Sequence, residues 1–163
     1  MSRQVLDGNK SFFKSGQDKN YMTREHGRVA SSVITRAVGA AMIVNDYESG
    51  STFLLGANTG AASIKLPLPE SGLSYRFIAS ADFVAGNVTI KSAAYDASRT
   101  VQNTPFVGVC LQGDAAASSV TGSTSMVITG ANFEKGDYFD LVCDGTTWFV
   151  SGMFNTASAV TIS

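Results

Sequence analysis

His26 is the only histidine in the 163 residues, set within Arg24-Glu25-His26-Gly27-Arg28. Imidazole is the side chain best suited to act as a general base near neutral pH, so a Ser-His-Asp or Cys-His mechanism would have to pass through this one residue. Nothing around it predicts a stable element, which favours a histidine that is solvated or paired across an interface. Zinc ligation finds no more support, because one His and the two cysteines Cys110 and Cys143, each inside its own apolar run, do not make a tetrahedral set. Buried cysteine behaves as a small hydrophobe, and both are expected to fill core positions.

The acidic residues face the same test. Asp137, Asp140 and Asp144 cluster in sequence, as a glycosidase pair or a calcium site would require. In a strand, however, Asp137 and Asp140 point to opposite faces, while Asp140 and Asp144 share a face but stand ~13 Å apart at about 3.3 Å per residue. The segment Gly56-Ala57-Asn58-Thr59-Gly60 lacks the Lys-Ser/Thr that must follow a phosphate-cradling loop. Trp148, with Tyr75, Phe77, Tyr138, Phe139 and Phe149, could stack on sugar rings, although core packing explains most of these aromatics. Trp148 and Phe149 are adjacent, so one ring faces inward and the other outward or toward a subunit interface. No catalytic residue, no metal site and no cofactor is expected, and the chain reads as a non-enzyme.

These residues sit on what reads as a succession of short strands. Gly136–Gly152 places two apolar, β-prone runs around Asp144-Gly145, a strong hairpin signal of the kind associated with type I′ turns. Further candidate strands are 40–44, 52–55, 63–66, 74–79, 87–91, 106–111, 125–129, 137–143, 147–152 and 159–162. In Ser74-Tyr75-Arg76-Phe77-Ile78 and Val88-Thr89-Ile90-Lys91 every second side chain is apolar, which gives each strand one buried face. Gly, Pro, Asn, Asp and Ser mark turns every eight to twelve residues or so, the punctuation of a sandwich or barrel rather than of βαβ units. The expected fold is all-β, an antiparallel β-sandwich or jelly-roll-like domain over residues 37–163. Residues 93–105 and 113–125 are longer connections that could meet a partner or act as linkers.

Residues 1–36 differ from the rest. They carry seven Lys/Arg against three Asp/Glu, a net +4, whereas the remainder has five against ten, a net −5. Phe12, Phe13 and Tyr21 punctuate this polar segment with neither a helical nor an alternating period, so it reads as an extended basic arm, with one short helix conceivable within 30–38. A Lys/Arg cluster attracts nucleic acid or an acidic protein surface without regard to sequence. Charged residues are only 15% of the chain, below the usual quarter or so, which suggests surface reserved for partners. No run approaches the roughly 18 apolar residues of a membrane span and no signal-peptide pattern is present, so the chain is expected to fold in a cytosol.

Four short motifs follow one another: Thr52-Phe53-Leu54-Leu55, Ile64-Lys65-Leu66-Pro67-Leu68-Pro69, Gly72-Leu73-Ser74-Tyr75-Arg76-Phe77 and Asp144-Gly145-Thr146-Thr147-Trp148. Across residues 50–152 this set resembles structural proteins of tailed bacteriophages, in particular capsid decoration (cement) proteins and tail-associated β modules. The resemblance implies a β-sandwich or jelly-roll subunit that forms a homotrimer on the outside of a phage head and stabilises contacts between capsomers of the major capsid protein. It implies a virion location after synthesis in the host cytoplasm, with no direct nucleic-acid contact and no membrane. The arm would then supply the capsid-facing residues Arg3, Lys10, Phe12, Phe13, Lys14, Tyr21, Arg24, His26 and Arg28, an assignment made on composition. The alternative is a trimeric tail or fibre module that grips a host receptor or glycan.

Overall fold

In Ser71–Ala79 the side chains of Leu73, Tyr75, Phe77 and Ala79 are buried, and those between them are half-buried or exposed. That period of two makes one face of a strand apolar and drives it against a second layer. The structure, a computed structural model, describes residues 33–36, 41–92, 94–95, 101–102, 104–113 and 117–162. All of them belong to one unit, Ser32–Ser163.

Among the described residues the strands are, in chain order, β1 Val33–Arg36, β2 Met42–Ile43, β3 Ser51–Leu55, β4 Ala62–Lys65, β5 Ser71–Ala79, β6 Val88–Lys91, β7 Ala94–Tyr95, β8 Val101–Gln102, β9 Phe106–Gln112, β10 Ser118–Ser123, β11 Ser125–Ile128, β12 Tyr138–Asp144, β13 Trp148–Phe154 and β14 Val160–Ile162. Seven form one sheet in the order β1-β3-β5-β12-β13-β9-β10, and five form a second in the order β14-β11-β6-β4-β2. Strands β7 and β8 pair separately. The inward side chains of both sheets meet in one core, so the fold is an all-β sandwich.

Strand direction departs from the antiparallel, jelly-roll-like expectation. The pairs β1–β3, β3–β5, β2–β4, β4–β6 and β9–β13 are parallel, and both sheets are mixed. The cause is the path of the chain. From β1 to β6 successive strands alternate between the sheets, so each strand lies beside the one two steps earlier and runs the same way. Parallel neighbours need a crossover connection, and here the crossover is a strand of the opposite layer.

The core is built on a row of aromatic rings. Phe53 on β3, Phe77 on β5 and Phe139 on β12 occupy one register row, with ring centroids 5.1 Å and 4.8 Å apart and nearly parallel planes. Each is fully buried, which favours the folded state by ~1.5–3 kcal/mol per ring, with a further ~0.5–1.5 kcal/mol for each stacked pair. Gly152 on β13 is next in the row, and a Cβ there would press on the Phe139 side chain at 3.0 Å. Met42, Ile64, Val88, Ile90, Met126, Ile128 and Val160 are buried on the five-stranded sheet.

Three local features differ from the sequence reading. Val33–Arg36 is a strand paired with β3, where a helix was conceivable, because Val-Ile-Thr is β-branched and Ile34 packs against the core. Ser118–Ser123 within the expected small-residue linker is also a strand, paired with β9. The β12–β13 hairpin is present, but of its turn residues only Gly145 has positive φ, at +104°, so it is not type I′. Asp144 precedes Gly145 as the first residue of the turn, and its Oδ1 accepts bonds from the amides of Thr146 and Thr147, both at 2.8 Å, and from Thr146 Oγ1 at 3.0 Å.

Candidate functional site: the outer face of the larger sheet

Alternation dictates what the outer surface of each sheet displays. On the five-stranded sheet the outward positions of β4 and β6 are Ser63, Lys65, Thr89 and Lys91, with both lysines exposed. With Ile43 on β2 and Val127 on β11 beside them, these make a mostly polar surface of the kind a sandwich layer turns to water.

The seven-stranded sheet is different. Register places Leu54, Ile78, Tyr138, Met153 and Leu111 in one outward row, Thr52, Arg76, Asp140, Ser151 and Val109 in the next, and Ser74, Val142, Phe149 and Val107 in a third. Nine of these fourteen side chains are apolar or aromatic. Val109, Leu111, Val142, Phe149 and Met153 are each 46–51% exposed. Strand β9 is therefore apolar at its outward positions Val107, Val109 and Leu111, and β12 and β13 add Tyr138, Val142, Phe149 and Met153, a pattern ordinarily found where a strand is covered on both sides.

Two charges lie within this surface, and they face each other. Arg76 on β5 and Asp140 on β12 are cross-strand partners, joined by Nε to Oδ1 at 2.7 Å and Nη2 to Oδ2 at 2.9 Å. The bidentate geometry is the strong form of this pair, and the hydrogen bond to Asp140 holds the Arg76 guanidinium still more firmly protonated than usual. The guanidinium carbon also lies 4.9 Å from the Tyr138 ring centroid, a cation–π distance. Beside the pair is a shallow depression of about 420 Å³ whose lining includes Thr52, Ser74, Val142 and Ser151. A second depression, of about 380 Å³, lies where β9 and β13 end and β12 begins, between Leu111, Tyr138, Met153 and Asn155.

The three clustered carboxylates do not converge. Asp137 is buried, and its two oxygens accept the amides of Glu134 and Asn155, both at 2.9 Å. Asp140 points outward to Arg76, and Asp144 closes its turn. Among the described residues no group of three or more His, Cys, Asp or Glu side chains could hold a metal ion. Cys110 and Cys143 are buried free thiols, as expected of core cysteines. Burial pushes the Cys110 thiol up to about 11 and raises Cys143 as well.

Trp148 points inward and Phe149 outward. Tyr75, Phe77, Phe139 and Trp148 are all buried, so they form no exposed sugar-stacking platform. The nine expected interface residues Arg3, Lys10, Phe12, Phe13, Lys14, Tyr21, Arg24, His26 and Arg28 lie outside the described residues. Sequence reasoning did not single out the apolar outer face. Its signal was present in continuous apolar runs such as Phe106–Leu111, where a half-exposed strand would alternate. Among the described residues no helix is long and apolar enough to cross a membrane. No protein-family model matches this chain, and no curated protein is found to be similar to it.

Proposed function

We propose that this chain is a virion structural protein of a tailed bacteriophage, a decoration protein that binds the outside of the head and holds neighbouring capsomers together. The observation that carries the reading is the difference between the two sheet faces. One outer surface is mostly polar and the other mostly apolar, as suits a module whose work is adhesion. The all-β sandwich agrees with the motif set of residues 50–152, and the low share of charge, 15%, agrees with surface committed to partners.

The mechanism in this reading is mechanical and requires no catalysis or cofactor. A clamp that buries new surface across a capsomer seam adds binding free energy that separation must overcome. Self-association, as the homotrimer the motif resemblance implies, multiplies the effect, because once one copy docks the others bind at high effective concentration. The basic arm supplies the contact to the major capsid protein. Phe12, Phe13 and Tyr21 are its apolar anchors, and Lys10, Lys14, Arg24 and Arg28 select an acidic patch.

Co-sedimentation tests the reading. Purified chain is mixed with phage shells lacking it, or with host cells, across a salt series. Binding to shells that weakens as salt rises supports a decoration protein, since a +4 arm acts through screened charge. Binding to cells with indifference to shells would replace it with a receptor-binding tail or fibre module.

A further inference from the structure

We infer that the outer face of the seven-stranded sheet is where a second copy of this chain docks, with Arg76 and Asp140 as the charged pair exchanged between copies. The inference deepens the self-assembly part of the proposed function and rests on it, adding the surface through which copies meet.

Three observations favour a copy over other occupants. The first is size. Five strands about 4.8 Å apart and three outward rows about 6.6 Å apart span roughly 24 by 20 Å, on the order of 500 Å² in projection and more in accessible surface, approaching the ~800 Å² per partner of a stable interface. The second is charge. The Arg76–Asp140 pair makes this patch neutral and self-complementary. A strongly acidic or basic partner gains nothing from it, and an acyl-chain layer would strand the pair without water. A two-fold axis beside the pair sets each Arg76 against the Asp140 of a second copy. The third is composition. Half-exposed Phe149, and Met153 opposite Tyr138, are of the residue types enriched in the buried centres of protein interfaces.

The pair also gives the contact its specificity. Like charges placed opposite one another across a closing interface are strongly disfavoured, so replacing one partner turns the patch against itself. Arg76→Asp gives a face with two acids, and Asp140→Arg gives a face with two bases. Each should repel its own copies and accept the other.

The test is sedimentation velocity on the full chain. Wild type is expected at a multiple of 17.1 kDa. Arg76→Asp alone and Asp140→Arg alone should each weaken association by about tenfold or more, and an equimolar mixture should restore it. Restoration on mixing is an effect that general destabilisation cannot produce. Hydroxyl-radical footprinting of unmodified protein gives a measurement that needs no variant. Met153 and Phe149 should be protected relative to Tyr47, which is 82% exposed, and protection should fall on dilution. A wild type that sediments as a monomer at 100 μM (on the order of 10² μM, well above the Kd of a standard-size interface), or an assembled wild type with Met153 freely oxidised, would overturn the inference. So would protection of Met153 in a species of monomer mass, which would assign the face to another segment of the same chain. These outcomes are independent of shell binding: a monomer that decorates shells defeats this inference alone, and an assembling chain that ignores shells defeats only the decoration reading.

Discussion

Arg36 and Glu48 join the first described strand to the turn that follows β2. Arg36 Nη2 donates to Glu48 Oε1 and Nη1 donates to the Ile43 carbonyl oxygen at 2.7 Å, while the guanidinium carbon sits 5.2 Å from the centroid of the Phe53 ring. Glu48 is buried, and its other oxygen accepts the Asn45 amide at 2.8 Å. The charge at the start of the sandwich is thus tied to the aromatic row at its centre.

Removing one partner of such a pair leaves the other charge buried without compensation. Arg36→Ala is expected to cost about 2–3 kcal/mol in a urea titration. Arg36→Lys, which keeps the charge but loses the planar fork, should recover part of that. Equal midpoints for wild type and Arg36→Ala would show that the pair does not hold β1 in place.

Gly86 and Gly72 separate crowding from backbone conformation. Both have positive φ, +79° and +92°. A Cβ on Gly86 would overlap the Gly60 carbonyl, whereas one on Gly72 would meet nothing within 4 Å. Gly72→Ala should therefore cost about 1–2 kcal/mol from conformation alone. Gly86→Ala should cost about 3 kcal/mol or more, read as the difference between their thermal midpoints. Similar losses for both would mean that the loop around Gly86 relaxes.

Asp137 gives the protein a definite response to acid. Burial raises its pKa, and the amides of Glu134 and Asn155 only partly oppose this. A carboxyl whose folded pKa lies above its unfolded value of about 3.9 binds its proton more tightly when folded, so its contribution to stability falls as pH rises from near 4 through the raised value and is level beyond it. Stability of wild type minus that of Asp137→Asn should show this decline between the two values. At neutral pH Asp137→Asn should still be the less stable by about 1–3 kcal/mol, because an amide can accept only one of the two N–H bonds. A difference that grows with pH across that window would contradict the assignment.

Cys110 and Cys143 should be inert in the folded chain, since thiolate is the reactive form and burial disfavours it at both. A thiol reagent at pH 8 is expected to leave both unlabelled over hours and to label both once denaturant is added. Prompt labelling of native protein would show that the core opens at β9 or β12.

Much of this fold was legible in the sequence for a simple reason. A strand with one face in the core must alternate, and in Ser74–Ala79 and Val88–Lys91 that alternation marked both the strand and its buried side. Alternation is the same for parallel and antiparallel neighbours, so the winding of β1 to β6 between the two sheets left no trace in it. Ser118–Ser123, Ser-Ser-Val-Thr-Gly-Ser, lies at the edge of its sheet and has no apolar period to show. The Asp144-Gly145 hairpin is legible in its turn residues, but the conformation of the turn, with the Asp144 carboxylate accepting the Thr146 and Thr147 amides, is not. The outer face is not legible in the sequence because its apolar residues merge with those of the core into unbroken runs, and the two sets separate only through strand register.

The central claim, that this chain acts by adhering to a phage head, is tested most directly by electron microscopy of heads assembled with and without it. The account predicts density for a β-sandwich repeated on the outer surface at the junctions between capsomers, absent from heads made without the chain. Heads that look the same in both preparations would contradict it.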